Sequence, residues 1–273
     1  MGNTILIHTD FSKVSSNAIN HGAEIARHMG AKLVILHVVN ADSLSFLKKN
    51  KLDLEYIDKQ LEEIRHQLEQ SHKIIVQIIK REGKLVANIS AVSEEINADL
   101  VVIGTHGKTG IQVITGSHAM KVVNHLKIPV LVVQKRTFGM GYNRIVFPIN
   151  VSTHYDVKIS WTISIAKAFK AQVFIYTMKT SNPELHRAMM ELVENISNTF
   201  KAHKIPTSIE QASKEVNFPK QIIDYSVEIE ADLIMIKMDT DEFEPSFILG
   251  ALEEKMIFNS SQIPVFCAQK KEQ

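Results

Sequence analysis

Apolar residues fall along this chain in short, nearly unbroken runs: Ile5–Ile7, Lys32–Val39, Ile74–Ile79 and Asp99–Gly104 in the first half. Runs of this length, rich in Val and Ile, predict strands buried on both faces of a parallel sheet. Between them lie helix-length stretches with apolar residues three or four apart, such as Ala18, Ala23, Ile25 and Ala26, or Leu61, Ile64 and Leu68. The run from Lys48 to Lys73 is rich in Lys, Glu and Gln with spaced Leu and Ile, and predicts a connecting helix with a solvated face. Strand and helix alternate, so the expected class is α/β, an open parallel sheet with helices on both faces. Such sheets bind ligands beyond the carboxyl ends of their strands, where the strand order reverses. Function is therefore expected in the loops after Ile5–Thr9, after Val34–Val38 and after Asp99–Ile103.

The pattern occurs twice. Ile5–Asp10 reappears as Ile145–Asn150, Gly30–Val39 as Lys170–Lys179, Glu94–Thr105 as Val227–Met238, and Lys127–Lys135 as Gln262–Lys270. Four matches in the same order, at an offset of 133 to 140 residues, mark a tandem duplication. Two glycines within Arg136–Asn143 interrupt the apolar pattern, which predicts domains over 1–138 and 139–273. The short connection suggests that the halves pair like a two-fold dimer within one chain, through the strands Ile128–Val133 and Ile263–Ala268. Further association into a homo-oligomer is compatible with this.

Composition narrows the function. The chain has 273 residues, enough for two domains of roughly 100–200 residues each. A net charge of +1 with interspersed signs offers no basic stripe for nucleic acid. No apolar run is long enough to cross a bilayer, and the N-terminus does not read as a signal peptide, so a cytoplasmic protein without membrane contact is expected. The single cysteine, Cys267, lies in an apolar run and reads as a buried small hydrophobe. The twelve histidines form no recognisable ligand spacing, and no metal site is expected. His37 falls in a strand run, which predicts an internal hydrogen bond. Ser12, Ser15 and Ser16 precede a helical pattern and are read as caps ahead of nucleophiles.

The strongest local signal is Gly104-Thr-His-Gly107-Lys-Thr-Gly110 directly after a strand, with Gly116-Ser117 opening the next helix. Glycine at such a bend lets backbone N–H groups approach an anion, and a helix N-terminus adds partial positive charge. On that reading a bulky residue at Gly104 abolishes ligand binding and leaves the sheet folded. Thr9-Asp10 and Val38 end the other two strands and can face the same crevice. No catalytic residue is assigned: there is no Ser-His-Asp order, no GxSxG and no complete P-loop, and no general base is identifiable.

Taken together, TDFS near the N-terminus, a strand ending in HVV, ADLVVIGTHGKTG, GS at a helix start and IPVLVV resemble the universal stress protein family over the whole first half, and more distantly over the second. The resemblance implies five parallel strands per domain in an adenine nucleotide alpha hydrolase-like fold. It also implies ATP or another adenine nucleotide as ligand, with Mg²⁺ for a triphosphate. Asp10 and Val38 would then meet the adenine end, and Gly104, Gly107, Gly116 and Ser117 the ribose and phosphates, with Ile103 also in the binding set. Thr9, His106 and His118 are their neighbours. Lys108–Thr115 is one residue shorter than the family pattern.

The second half departs further. Asn150 stands for Asp10, Thr177 for Val38, and Lys237-Met238-Asp239-Thr240 for the glycine turn, with only Gly250 retained. Its domain is expected to be structural. The function expected is a stress-response binding module whose first domain holds the nucleotide. The alternatives are an interaction protein that binds no nucleotide, and a weak ATPase.

Overall fold

The computed structural model describes residues 4–105, 116–150, 155–238 and 256–269. The chain divides into two compact units, Met1–Gly139 and Met140–Gln273. Both are α/β.

In the first unit the elements run β1 (Thr4–His8), α1 (Lys13–Met29), β2 (Lys32–Val39), α2 (Ala41–Asn50), α3 (Leu54–His72), β3 (Val76–Glu82), α4 (Leu85–Glu95), β4 (Leu100–Gly104), α5 (Gly116–His125) and β5 (Val130–Val133). The strands pair in the order β3-β2-β1-β4-β5, all parallel. The chain winds outward from β1 through β2 to β3, then returns to lay β4 and β5 on the other side. The reversal lies between β1 and β4, whose register pairs Ile7 with Val102.

Right-handed crossovers place the helices of the two windings on opposite faces. Accordingly α1 packs with α3, and α4 with α5. A Cβ on Gly22 of α1 would lie 2.3 Å from Ile7, so Ile7 turns toward α1. By alternation Leu6 and His8 turn to the opposite face. Leu6, Ile7, Leu33–Leu36, Leu100–Val102, Val130 and Leu131 have no or almost no exposure, and this layer is the core.

Two elements differ from the sequence expectation. The helix expected across Lys48–Lys73 is two helices: Lys51 takes a left-handed conformation (φ 55°) that closes α2, and the Asp53 side chain caps α3 by accepting from the Glu55 N–H. Neither signal interrupts the apolar spacing, so periodicity missed the break. β3 mixes buried, half-buried and exposed positions because it is the outer strand of its unit, with β2 as its single described partner.

The second unit repeats the plan with β6 (Arg144–Ile149), α6 (Asp156–Phe169), β7 (Gln172–Thr177), α7 (Pro183–Ala202), β8 (Thr207–Gln211), α8 (Phe218–Glu228), β9 (Leu233–Lys237) and β10 (Val265–Ala268). Their order, β8-β7-β6-β9-β10, is that of the first unit. Cys267 is fully buried in β10, as its apolar run predicts.

Candidate functional site

Beyond β1 the ladder continues by one residue, with the Thr9 N–H donating to the Leu36 carbonyl at 2.9 Å. The chain then turns sharply through Phe11, a non-glycine residue at φ 61°. Side chains stabilise this strained conformation. Thr9 Oγ1 accepts from the Phe11 N–H (3.1 Å), and Asp10 Oδ1 from the Ser12 N–H (2.9 Å). Ser12 caps α1 by accepting from the Ser15 N–H (3.1 Å), and the Ser15 hydroxyl donates to the Ser12 carbonyl (2.9 Å). Ser12 thus acts as the cap its position suggests, and Thr9 and Asp10 hold the turn that starts the helix.

Gly104 ends β4 across the reversal point from this turn. A Cβ there would lie 2.9 Å from the Val14 carbonyl oxygen, 3.0 Å from its carbon and 3.1 Å from the Ser15 nitrogen. These are backbone atoms of the first turn of α1 and cannot swing away. Glycine at 104 is therefore required for helix–strand approach, which corrects the expectation that a bulky residue there would spare the fold. The glycine signal was real, but sequence alone cannot say what comes close.

Thr9, Asp10, Val38 and Ile103 meet at this edge of the sheet, at 0 %, 2 %, 0 % and 1 % exposure. The described side chains are thus closed to solvent. Gly116, Ser117 and His118 open α5. His106 and Gly107 lie outside the described residues, as does the shortened Lys108–Thr115 loop.

Two buried imidazoles lie beneath the turn. His37 bonds internally, its Nδ1 donating to the Thr9 carbonyl at 2.8 Å, which fixes the proton on Nδ1 and leaves Nε2 without a partner. Phe11 stacks on this ring at 4.6 Å. His8 is fully buried with neither ring nitrogen hydrogen-bonded, its ring centre 6.4 Å from that of His37. Burial and, secondarily, the nearby His37 push the His8 pKa down to about 3. Burial also lowers that of His37, against its bond to Thr9 and the field of Asp10. Both rings are neutral near neutral pH. Sequence reading passed over His8, although a histidine inside the apolar run ILIHT was the available signal.

At the same edge of the second unit, the side chains differ. The Tyr155 hydroxyl accepts from the Asn150 N–H (3.1 Å) and donates to Asn150 Oδ1 (2.6 Å). Lys158, 2 % exposed, donates to the Pro148 carbonyl at 2.5 Å and lies 4.0 Å from the Phe147 ring centre. Lys237, in the place of Gly104, has its ammonium 5.9 Å from the Tyr155 ring centre. The registers Thr4 to Lys32 and Arg144 to Gln172 make 140 the offset of both strands, so Met178, and not Thr177, takes the place of Val38. The expectation of Thr177 was one residue out, since the match of Gly30–Val39 to Lys170–Lys179 carries the same offset of 140.

Among the described residues, no group of three or more His, Cys, Asp or Glu is placed to hold a metal, and no helix is long and apolar enough to cross a membrane.

The model of the universal stress protein family matches residues 1–134. A universal stress protein of Methanocaldococcus jannaschii is 32% identical over 140 residues, covering 48% of this chain and 81% of that protein. Universal stress protein G of Salmonella typhimurium is 29% identical over 143 residues, 49% of this chain and 100% of that one. Among solved structures, a universal stress protein from Archaeoglobus fulgidus covers 100% of both chains with a TM-score of 0.77 at 19% identity. A protein of unknown function from Pseudomonas aeruginosa PAO1 covers 99% of this chain and 93% of its own, with a TM-score of 0.65 at 14% identity. At these identities the two structures speak to the fold.

Proposed function

The chain belongs to the universal stress protein family, and from that premise we propose that its first unit holds ATP or a related adenine nucleotide and acts in the cytoplasm as a stress-response regulatory module. One observation carries the reading: Thr9-Asp10 and Ile103-Gly104 lie at the ends of β1 and β4 on either side of the reversal in strand order, the place where open parallel sheets take ligands, with Val38 near the end of the neighbouring β2. Asp10 and Val38 would face the base. The start of α5 at Gly116 and Ser117, with His106, Gly107 and His118, would face the ribose and phosphates, where a helix N-terminus favours negative charge. Mg²⁺ would accompany a triphosphate, held mainly by phosphate oxygens and water. The second unit is structural on this reading, because Tyr155, Lys158 and Lys237 take the space a ligand would need.

A second reading, an interaction protein that binds no nucleotide, draws support from the closure of the site side chains to solvent. Native mass spectrometry of gently purified protein, followed by titration with ATP, separates the two. One adenine nucleotide per chain, lost on Asp10→Ala, is expected. No bound nucleotide, even with ATP at millimolar concentration, would sink the first reading in favour of the second.

A further inference from the structure

The last strand of the first unit, β5, leads into the segment Gln134–Gly139. Two side chains of α1 hold its backbone. Asn17 Nδ2 donates to the Lys135 carbonyl at 2.9 Å, with the Gln134 carbonyl at 3.5 Å, and His21 Nε2 lies 3.1 Å from the Arg136 carbonyl. A carbonyl only accepts, so the His21 proton sits on Nε2. Asn17 and His21 are one turn apart on one face of the helix, and both are buried, at 4 % and 2 % exposure. Phe138 packs edge-on against the His21 ring at 5.1 Å. These groups fasten consecutive carbonyls of the stretch that carries the chain out of its first unit.

The same helix begins at the candidate site. Its cap, Ser12, lies two residues after Asp10 and donates its N–H to that carboxylate, and its first turn rests on Gly104 with no room for one more atom. Asn17 sits less than one turn beyond Ser15. An α-helix is stiff over that distance, so the first turn cannot lift from β4 without carrying Asn17 and His21 away from the carbonyls they hold. We propose that α1 is a lever: Asn17 and His21 clamp the connecting segment at Lys135 and Arg136, and displacement of the first turn of α1 from Gly104 loosens that clamp. Only the step in which a bound ligand does the displacing rests on the nucleotide reading above.

Trypsin tests this directly, because it cuts after Lys135 and Arg136. To be cut, each scissile carbonyl must leave its donor and enter the protease. When opening is fast relative to cleavage, the rate follows the population of the open segment. The double variant Asn17→Leu with His21→Phe keeps side-chain bulk and removes both donors. Losing two hydrogen bonds should speed cleavage at these two bonds about tenfold or more, with the rest of the digestion map unchanged. Gly104→Ala, at the other end of the helix, should speed the same two bonds by more than the other sites of the first unit.

Wild-type rates in the double variant would overturn the clamp, as would a uniform acceleration at every site, which reports loss of the fold. A fast double variant beside an unchanged Gly104→Ala would overturn the lever. If native mass spectrometry finds bound ATP, adding ATP should alter cleavage at Lys135 and Arg136. Binding without that change refutes the ligand step and leaves the nucleotide reading standing. If no nucleotide binds, that reading fails and the variants still decide the clamp.

Discussion

Acid should weaken the first unit, and His8 should account for a defined part of the effect. In the folded chain burial holds the His8 pKa at about 3 and that of His21 at about 4, against an ordinary 6.5. Below pH 6.5 the unfolded chain binds protons that the folded one refuses. Stability is therefore whole above that pH and is lost as pH falls toward the folded values. The slope is about 1.4 kcal/mol per pH unit for each such group. From 6.5 down to about pH 5 this amounts to roughly 2 kcal/mol for His8 and a similar amount for His21. Together that is a large share of the ~5–15 kcal/mol that holds a typical domain.

The variant His8→Phe isolates one contribution. Its ring fills the same volume and does not titrate. It also removes two buried nitrogens that no hydrogen bond satisfies, so near pH 7 the variant should be at least as stable as the parent. Near pH 5 it should exceed the parent by about 2 kcal/mol more than it does near pH 7, an added shift of ~1 M in the urea midpoint at an m-value of ~2 kcal/mol/M. Trp161, the sole tryptophan, lies in the second unit, so its fluorescence is the wrong probe. Hydrogen exchange of β1 and β2 peptides across a urea series reports the right region. Equal pH dependence in parent and variant would refute the reasoning, since His8 would then be protonated, or partnered, in the folded state.

Gly104→Ala should destabilise the first unit by about 1–3 kcal/mol, because the added methyl meets main chain that can yield only by moving α1; a melting temperature unchanged by calorimetry would contradict the close approach. In the second unit Tyr155→Phe removes the hydroxyl that serves both the N–H and the Oδ1 of Asn150 and should cost about 1–2 kcal/mol by urea denaturation followed through Trp161 fluorescence, a loss that would not appear if water replaced it fully.

The layout of the fold was legible in the sequence because its main signals are local. A buried parallel strand must be continuously apolar, and a covering helix must carry apolar residues at three-to-four spacing, so alternation and duplication could both be read off directly. What escaped was either a local turn that leaves the apolar spacing intact or a contact between segments distant along the chain. The break at Lys51 is a single left-handed residue inside an unbroken helical pattern. Gly104 announced a close approach correctly, but its neighbour is a helix ninety residues earlier in sequence. His8 was readable only as an oddity until burial showed that its nitrogens have no partners.

Comparison of the units explains why the same plan need not keep the same chemistry. With the offset of 140, Lys158 of α6 occupies the place of Ala18 in α1, and α6 starts at Asp156, equivalent to residue 16, three later than Lys13. At the end of β9 stands Lys237 where β4 has Gly104. A glycine is needed where the first turn of α1 lies against the strand end. Starting the helix later relaxes that demand and admits a long side chain. The space is then taken by Tyr155 and by the Lys158 ammonium, whose burial would cost several kcal/mol without the Pro148 carbonyl and the Phe147 ring face to receive it. Sheet order depends on the apolar runs, which both units retain. Access at the strand ends depends on a few small or polar positions, and those are the ones at which the second unit carries other side chains.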